Sequence, residues 1–141
     1  MAAEVKFENN VVKVKNAMRS IALAKLEEVT GELESQAKRN TRVAAINGGN
    51  TKNNWKHTVT AKGDEFIGTV GNTTENAIWE EFGTGEYALK GNGRKGGWFY
   101  VDAKGDGHFT HGKKPSRAFW NAYVTLKNKI ITRIQNALKG L

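Results

Sequence analysis

The sequence predicts an α+β fold with a long helix near each end and small antiparallel hairpins between them. Apolar residues recur at helical spacing over residues 10–39 and again after Pro115. Between these segments, alternating apolar and polar residues end at glycine-containing turns, which is typical of hairpins. With 141 residues the chain is long enough for one core. We therefore expect a single domain over residues 1–141, with a long N-terminal helix, a small antiparallel sheet of hairpins, a short central helix and a long C-terminal helix.

Composition excludes several classes of protein. The chain has no cysteine, which rules out a disulfide framework and thiolate metal sites and fits a reducing cytoplasm. It has no apolar run long enough to cross a membrane, so we expect no membrane partner. The N-terminus lacks the basic start and apolar run of a secretory signal. We expect synthesis in the cytoplasm.

The charge is unevenly distributed. The formal net charge is +8, and residues 91–141 account for all of it, with ten Lys and Arg against two Asp. No acidic residue follows Asp106. A basic surface of this kind attracts anions, either nucleic acid or an acidic protein patch. The charge alone does not decide between nucleic acid and an acidic protein patch as the partner.

The first long helix is predicted over residues 10–39, with Asn9 or Asn10 as its cap. One apolar stripe follows its length, and we expect it to face the core. Gly31 interrupts the pattern at a cost of up to about 1 kcal/mol, so a break there is possible. The stripe consists of Val14, Met18, Ala22, Leu26, Val29 and Leu33.

A loop and a hairpin follow this helix. Residues 40–53 are polar and glycine-containing, which predicts a loop that is mobile near Gly48 and Gly49. Residues 55–71 then alternate between apolar and polar positions on both sides of a turn at residues 62–64. This pattern predicts the first hairpin.

The short central helix is predicted over residues 75–82, with one apolar side, and Gly83 ends it. Glu80 and Glu81 invite a reading as paired catalytic carboxylates. Adjacent residues in a helix point about 100° apart, so the two carboxylates do not face one substrate. The pair is therefore not a credible acid–base site.

Three histidines are candidate functional groups. His57 has no second ligand or nucleophile nearby in sequence, which favours a packed or solvated role over a catalytic base. His108 and His111, with Asp102 or Asp106, could hold a divalent cation. Residues three apart in a strand face opposite sides, which opposes shared ligation. We expect no metal site.

The second hairpin and the last helix complete the chain. Gly91–Gly97 is glycine-rich, but its spacing does not match a phosphate-binding loop. Strands are predicted over Trp98–Asp102 and His108–His111, and Ser116 is the predicted cap of the final helix. The apolar stripe of that helix consists of Phe119, Tyr123, Leu126, Ile130, Ile134 and Leu138, widened by Ile131 and Ala137.

The segments NAIWEEFGTG, GRKGGWFYVD and HFTHGKKPSRAFWNAY resemble the small neck proteins of long-tailed bacteriophages. Members of that family are described as head-to-tail connector, tail-completion or minor structural proteins. The resemblance covers about residues 10–140, and its specific part is Trp79–Gly85 together with Trp98–Phe119. In the family, proline and an aromatic residue often stand in close succession, whereas here three residues separate Pro115 from Phe119.

The resemblance implies a virion structural protein of the phage neck, without a cofactor and without enzymatic activity. It implies a homo-oligomeric ring of six copies that joins the head to the tail and lets the genomic DNA pass. The implied neighbours are head-closure or connector proteins and tail-terminator or tail-tube proteins. The implied subunit-interface residues are Trp79, Glu81, Phe82, Gly83, Thr84, Gly85, Trp98, Tyr100, Thr110, His111, Pro115 and Phe119. Candidate contacts to DNA or an acidic partner are Arg94, Lys95, Lys113, Lys114, Arg117, Lys127, Lys129 and Arg133.

Two other functions remain as alternatives. A basic nucleic-acid-binding protein explains the charge, but no recognition motif is present and the Glu-Phe-Gly-Thr-Gly segment stays unexplained. A small hydrolase is the third hypothesis, but the acidic residues and histidines of this chain form no credible set of catalytic groups.

Overall fold

Helix α1 (Val11–Asn40) is the element on which the first hairpin and the last helix pack. A computed structural model of the protein describes residues 3–43 and 49–140. In chain order the other elements are α2 (Asn50–Asn53), β1 (Trp55–Lys62), β2 (Glu65–Asn72), α3 (Asn76–Phe82), a 3₁₀ turn (Gly85–Tyr87), β3 (Trp98–Val101), β4 (Gly107–Thr110) and α4 (Ala118–Lys139). The predicted α+β class and the order of its elements are confirmed. None of the described helices is both long and apolar enough to cross a membrane.

The first hairpin pairs β1 with β2 in antiparallel register, from Trp55 opposite Asn72 to Lys62 opposite Glu65. Two residues form its turn, and Gly63 there has a φ of 62°, which glycine adopts without strain. The hairpin and its turn lie where the alternation predicts them.

The hairpin lies along α1 and comes very close to it. At its tip, Arg19 of α1 donates a 2.5 Å hydrogen bond to the Gly63 carbonyl. At mid-strand, a Cβ on Gly68 would stand 2.3 Å from Thr30 Oγ1 and 3.1 Å from a methyl carbon of Leu26. The absence of a side chain at Gly68 therefore sets the distance between the sheet and the helix.

Helix α4 packs antiparallel to α1. Near the start of α4, Asn40 Nδ2 donates to the Ala118 carbonyl at 3.1 Å, and further along Arg133 pairs with Glu32. Ala37 of α1 and Ala122 of α4 are fully buried. Small side chains at such positions let two helix backbones approach closely.

Trp55 lies where the hairpin, α1 and α4 meet. Its ring stacks on Phe119 of α4, with the ring centroids 6.0 Å apart. Its Nε1 donates to Thr41 Oγ1 at 2.7 Å, and that hydroxyl donates to the Ala37 carbonyl at 2.7 Å. The buried indole is thus packed by apolar side chains and also has its polar atom satisfied.

The predicted core stripe of α1 is only partly buried. Val29 is buried, and Leu26 and Leu33 are half-buried. The expectation is wrong for Val14 and Met18, which are exposed, because the described part of the chain places no element over that side of the first turns.

The boundaries of α1 follow the prediction closely. Asn9 Oδ1 accepts the amide of Val11 at 3.1 Å, so the first of the two proposed asparagines binds the start of the helix. The helix runs through Gly31 without the break considered possible. Packing of the hairpin and α4 on the helix outweighs the weak propensity of one glycine.

The predicted loop at residues 40–53 needs one correction. Asn50–Asn53 forms a single helical turn, α2, preceded by Gly49 with a φ of 93°. The expectation of mobility at Gly48 lies outside the described residues.

The close approach at Gly68 yields a stability prediction. Gly68→Ala should lower the free energy of unfolding by about 1–3 kcal/mol, because the added methyl group overlaps buried atoms of α1. Gly71→Ala on the same strand is the matched control, since nothing lies within 4 Å of its Cβ position. Urea unfolding followed by circular dichroism measures both. Equal stability of the two variants would contradict the close packing.

Candidate functional site

Two chain segments, Thr84–Glu86 and His111–Lys113, cross in antiparallel contact, and we call this contact the glycine crossing. The amides of the first and last residues of the first segment donate to the carbonyls of Lys113 and His111, each over 2.9 Å. The Lys113 amide donates in turn to Thr84 Oγ1 at 2.9 Å. The crossing joins the Glu-Phe-Gly-Thr-Gly and Thr-His-Gly segments on which the resemblance rests.

Glycine is required on both sides of the crossing. Gly83, Gly85 and Gly112 all have positive φ angles, of 76°, 59° and 119°. A Cβ on Gly85 would lie 2.2 Å from the His111 carbonyl oxygen, and a Cβ on Gly112 would lie 2.2 Å from that of Thr84. A side chain at either position would overlap main-chain atoms, which have no rotamer by which to move away.

Glu81 caps helix α4 from the neighbouring helix α3. Its two carboxylate oxygens accept the amides of Phe119 and Trp120, each at 3.0 Å, where the helix dipole favours negative charge. The prediction of Ser116 as the cap is wrong. The residue at the cap position is Arg117, in a left-handed conformation, and its side chain makes no cap hydrogen bond. A carboxylate distant in sequence takes over the role of a local hydroxyl.

Glu80 points to different partners. Its carboxylate accepts a hydrogen bond from Arg42 at 3.2 Å and pairs with Lys113, beside the glycine crossing. Its main-chain carbonyl accepts the Ser116 amide at 2.7 Å. The two adjacent glutamates therefore face apart, as predicted, and both hold the chain together.

The second hairpin projects an uncovered apolar face. β3 and β4 pair with Phe99 opposite Phe109. These two rings are 67% and 62% exposed, and Val101 beside them is also exposed. Within the described residues, no helix packs over this face. We call the set Phe99, Val101 and Phe109 the hairpin patch.

The turn of this hairpin is fixed by Asp102. Its carboxylate binds His108 Nε2 at 2.8 Å and accepts the amides of Lys104 and Asp106, each at 2.9 Å. The pKa of Asp102 is lowered, mainly by the hydrogen bond from His108 and next by that from the Asp106 amide. Asp102 and His108 therefore order the turn.

The described residues contain no group of three or more His, Cys, Asp or Glu placed to hold a metal ion. His111 does not join Asp102 and His108, and its Nδ1 instead lies 3.3 Å from a Glu86 carboxylate oxygen.

The residues expected at a subunit interface divide into two groups. Glu81, Gly83, Thr84, Gly85, Thr110, Pro115 and Phe119 make the contacts within the chain that build the crossing, the cap of α4 and the core. Trp79, Tyr100 and His111 are exposed, whereas Phe82 and Trp98 are half-buried. Sequence reasoning missed the hairpin patch, although the alternation of β3 already placed Phe99 and Val101 on the face opposite Trp98.

Many of the basic residues expected to contact DNA or an acidic partner are engaged within the chain. Lys113 and Arg133 pair with Glu80 and Glu32, and Arg117 lies 3.8 Å from Glu81. Cations also lie over aromatic rings of the same chain, namely Arg94 over Trp98, Lys114 over Tyr87 and Lys127 over Tyr123. Part of the positive charge is therefore balanced internally.

His57 links the hairpin to α1. Its Nε2 lies 2.6 Å from Glu27 Oε1, and its Nδ1 contacts Glu34. The pKa of His57 is raised, mainly by its hydrogen bond to Glu34 and next by that to Glu27. The imidazolium can donate to both carboxylates, whereas neutral imidazole donates to only one. His57 is thus a structural residue between two acids.

A family model described as "Bacteriophage HK97-gp10, putative tail-component" matches residues 5–83. The match includes α1, the first hairpin and α3, and it ends at Gly83. Nothing among curated proteins or solved structures matches the chain significantly.

The glycine crossing can be tested with a matched pair of variants. Gly85→Ala and Gly91→Ala both place a side chain at a positive φ, 59° and 68°, but only Gly85 faces another segment. Gly91→Ala should cost about 1–2 kcal/mol from backbone strain. Gly85→Ala should cost at least about 2 kcal/mol more, because its methyl group overlaps the main chain. Chemical unfolding measures the difference, and similar losses for the two variants would speak against the crossing.

The raised pKa of His57 predicts a pH dependence of stability. Because the folded-state pKa lies above the unfolded value, the contribution of His57 is fully present below about pH 6.5 and is lost as the pH rises through the folded pKa. His57→Gln should therefore lower the melting temperature at pH 5.5 and have a smaller effect at pH 9. Thermal unfolding of the unaltered chain and of His57→Gln across this pH range measures the difference in melting temperature. A difference that does not shrink with pH would refute the role of the imidazolium.

Proposed function

Since the chain belongs to the HK97-gp10-like family of phage tail components, we propose that it is a structural protein of the virion neck. In this proposal six copies form a ring that joins the head to the tail and leaves an axial channel for the genome. The protein is made in the cytoplasm of the host bacterium and acts in the virion without enzymatic activity.

The hairpin patch is the observation that carries the proposal. Phe99 and Phe109 stand on a hairpin with an uncovered apolar face, which is costly for a protein that works as a monomer. Exposed aromatic residues at the end of an ordered hairpin are typical of the buried centre of protein interfaces. We infer that this patch packs on a neighbouring subunit.

The extent of exposed surface supports association more generally. The chain has an accessible surface of 10197 Å². A compact monomer of 15.5 kDa would expose about 7,200 Å² by the scaling of surface with mass. The N-terminal segment supplies part of the excess of about 3,000 Å². An excess of this size is comparable to the surface that obligate oligomers bury.

A ring requires two different surfaces on each subunit, because each copy contacts its neighbour head to tail. The hairpin patch is one such surface. Ile78 and Trp79, both exposed on α3, offer a second one on another element. The glycine crossing lies between these elements in the chain and fixes the path of the segment that joins them.

The basic last third of the chain is proposed to face the channel or an acidic partner. Lys127 and Lys129 on α4 are exposed, as are Arg94 and Lys95 before β3. Because α4 has no acidic residue, its outer side attracts phosphate as well as acidic protein surfaces. The proposed protein neighbours are head-closure or connector proteins on one side and tail-terminator or tail-tube proteins on the other.

Replacing one aromatic residue of the hairpin patch tests the ring. Phe109→Ser should weaken self-association about ten- to hundredfold, because a large apolar side chain no longer becomes buried at each contact. Ile67→Ser is the matched control, since Ile67 is also exposed and apolar but lies on β2. Sedimentation velocity and negative-stain images of the purified protein measure the assembly, and circular dichroism checks that both variants fold.

Three outcomes would count against this function. The unaltered chain could remain a monomer at high concentration, Phe109→Ser could assemble as well as Ile67→Ser, or virions could be complete without the protein. A monomer that bound DNA with a steep dependence on salt would favour the basic nucleic-acid-binding alternative instead.

A further inference from the structure

The N-terminal arm, residues 3–10, is exposed along its whole length and contains no helix or strand. Val5 and Phe7 are 92% and 91% exposed. In an extended chain these two residues share one side, and Glu4 and Glu8 share the other. The arm is therefore amphipathic in the manner of a β-strand, yet its apolar side is left uncovered by residues 3–43 and 49–140 of its own subunit.

An open apolar groove runs along the other end of the same subunit. It lies between β2 and α4, with α1 as its floor, and has a volume of about 300 Å³. Val70 and Phe119 also line a second cavity of about 490 Å³, between β2, α3 and the start of α4. Because both cavities are lined by Val70 and Phe119, they adjoin, and we call the pair the apolar groove; its lining includes Leu26, Leu33, Val70, Phe119, Ile130 and Ile131.

We propose that the N-terminal arm of one subunit binds in this groove of the neighbouring subunit, with Val5 and Phe7 as its anchors. The proposal rests on the proposed self-association, for which it names a second contact beside the hairpin patch. An extended strand fits an elongated groove, and burial of its two apolar side chains removes exposed surface from both subunits.

The arm is too short to fill the groove of its own subunit. Three residues lie between Phe7 and Val11, so their Cα atoms, four steps apart, are separated by at most about 14 Å. Val29, on the floor of the groove, lies about 27 Å along the helix axis from Val11. Phe7 therefore cannot reach the floor of its own groove at Val29, which favours the groove of a different copy.

Charge favours the same pairing. Lys127 lines the groove, and Arg117 lines its extension near the start of α4, where it lies 3.8 Å from the Glu81 carboxylate. The polar side of the arm carries Glu4, Lys6 and Glu8, a net charge of −1, and α4 has no acidic residue to repel it. The net negative arm is therefore attracted to the basic helix α4, which forms one side of the groove.

Disulfide cross-linking tests the pairing directly, because the chain has no cysteine of its own. One preparation contains Phe7→Cys, and a second contains Ile131→Cys, at an exposed position that lines the groove. When the two are mixed and oxidised, a dimer that joins the two different variants should form. Thr132→Cys is the matched control, since this neighbouring residue is exposed but does not line the groove.

A second measurement compares adjacent positions of the arm. Phe7→Ser should weaken self-association about ten- to hundredfold, whereas Lys6→Ser, on the opposite side of the arm, should change it less than about threefold. Sedimentation equilibrium gives the dissociation constants. Both changes lie outside the helices and strands, so the fold of the subunit stays the same.

The outcomes separate the arm from the ring. Rings that form with equal affinity in both arm variants, and without cross-linking above the Thr132→Cys control, would overturn the arm proposal and leave the ring standing. A chain that never self-associates would overturn both. Selective cross-linking to Ile131→Cys together with weaker association of Phe7→Ser supports the arm.

Discussion

The burial of Trp55 is the interaction on which the rest of the subunit depends. Its ring stacks on Phe119 of α4, and its Nε1 binds Thr41 at the end of α1, so one side chain connects three elements. Around it the fully buried side chains are small, Ala37 and Ala122, because the backbones come too close for larger ones. The core is compact but small, and much of the apolar surface stays outside it.

A small core divides the chain into a supporting part and an exposed part. Helix α1, the first hairpin and α4 bury one another, whereas the second hairpin and the N-terminal arm extend beyond that contact. Between the two parts, Glu81 and the glycine crossing hold the connection through hydrogen bonds to the main chain. Rigid support for exposed apolar side chains is what a protein that joins other proteins needs.

The sequence predicted the elements well because their patterns are local. Helical spacing located α1 and α4, and alternation located both hairpins. What it could not predict depends on contacts between distant segments. Ser116 has the chemistry of a cap, but Glu81 occupies the site, because α3 lies beside the start of α4. Val14 has the spacing of a core residue, but nothing in the described part of the chain covers it. The exposure of Phe99 likewise depends on where the second hairpin stands.

The glycine crossing has a consequence for how such a protein changes over evolutionary time. Its hydrogen bonds mostly join main-chain atoms, and it closes the base of the segment that carries the second hairpin. Whatever side chains stand beyond that base, the closure does not depend on them. The second hairpin can therefore accept substitutions or a longer turn while α1, the first hairpin and α4 keep their structure. Related proteins can thus evolve a different protein–protein interface on the second hairpin while they keep the same fold.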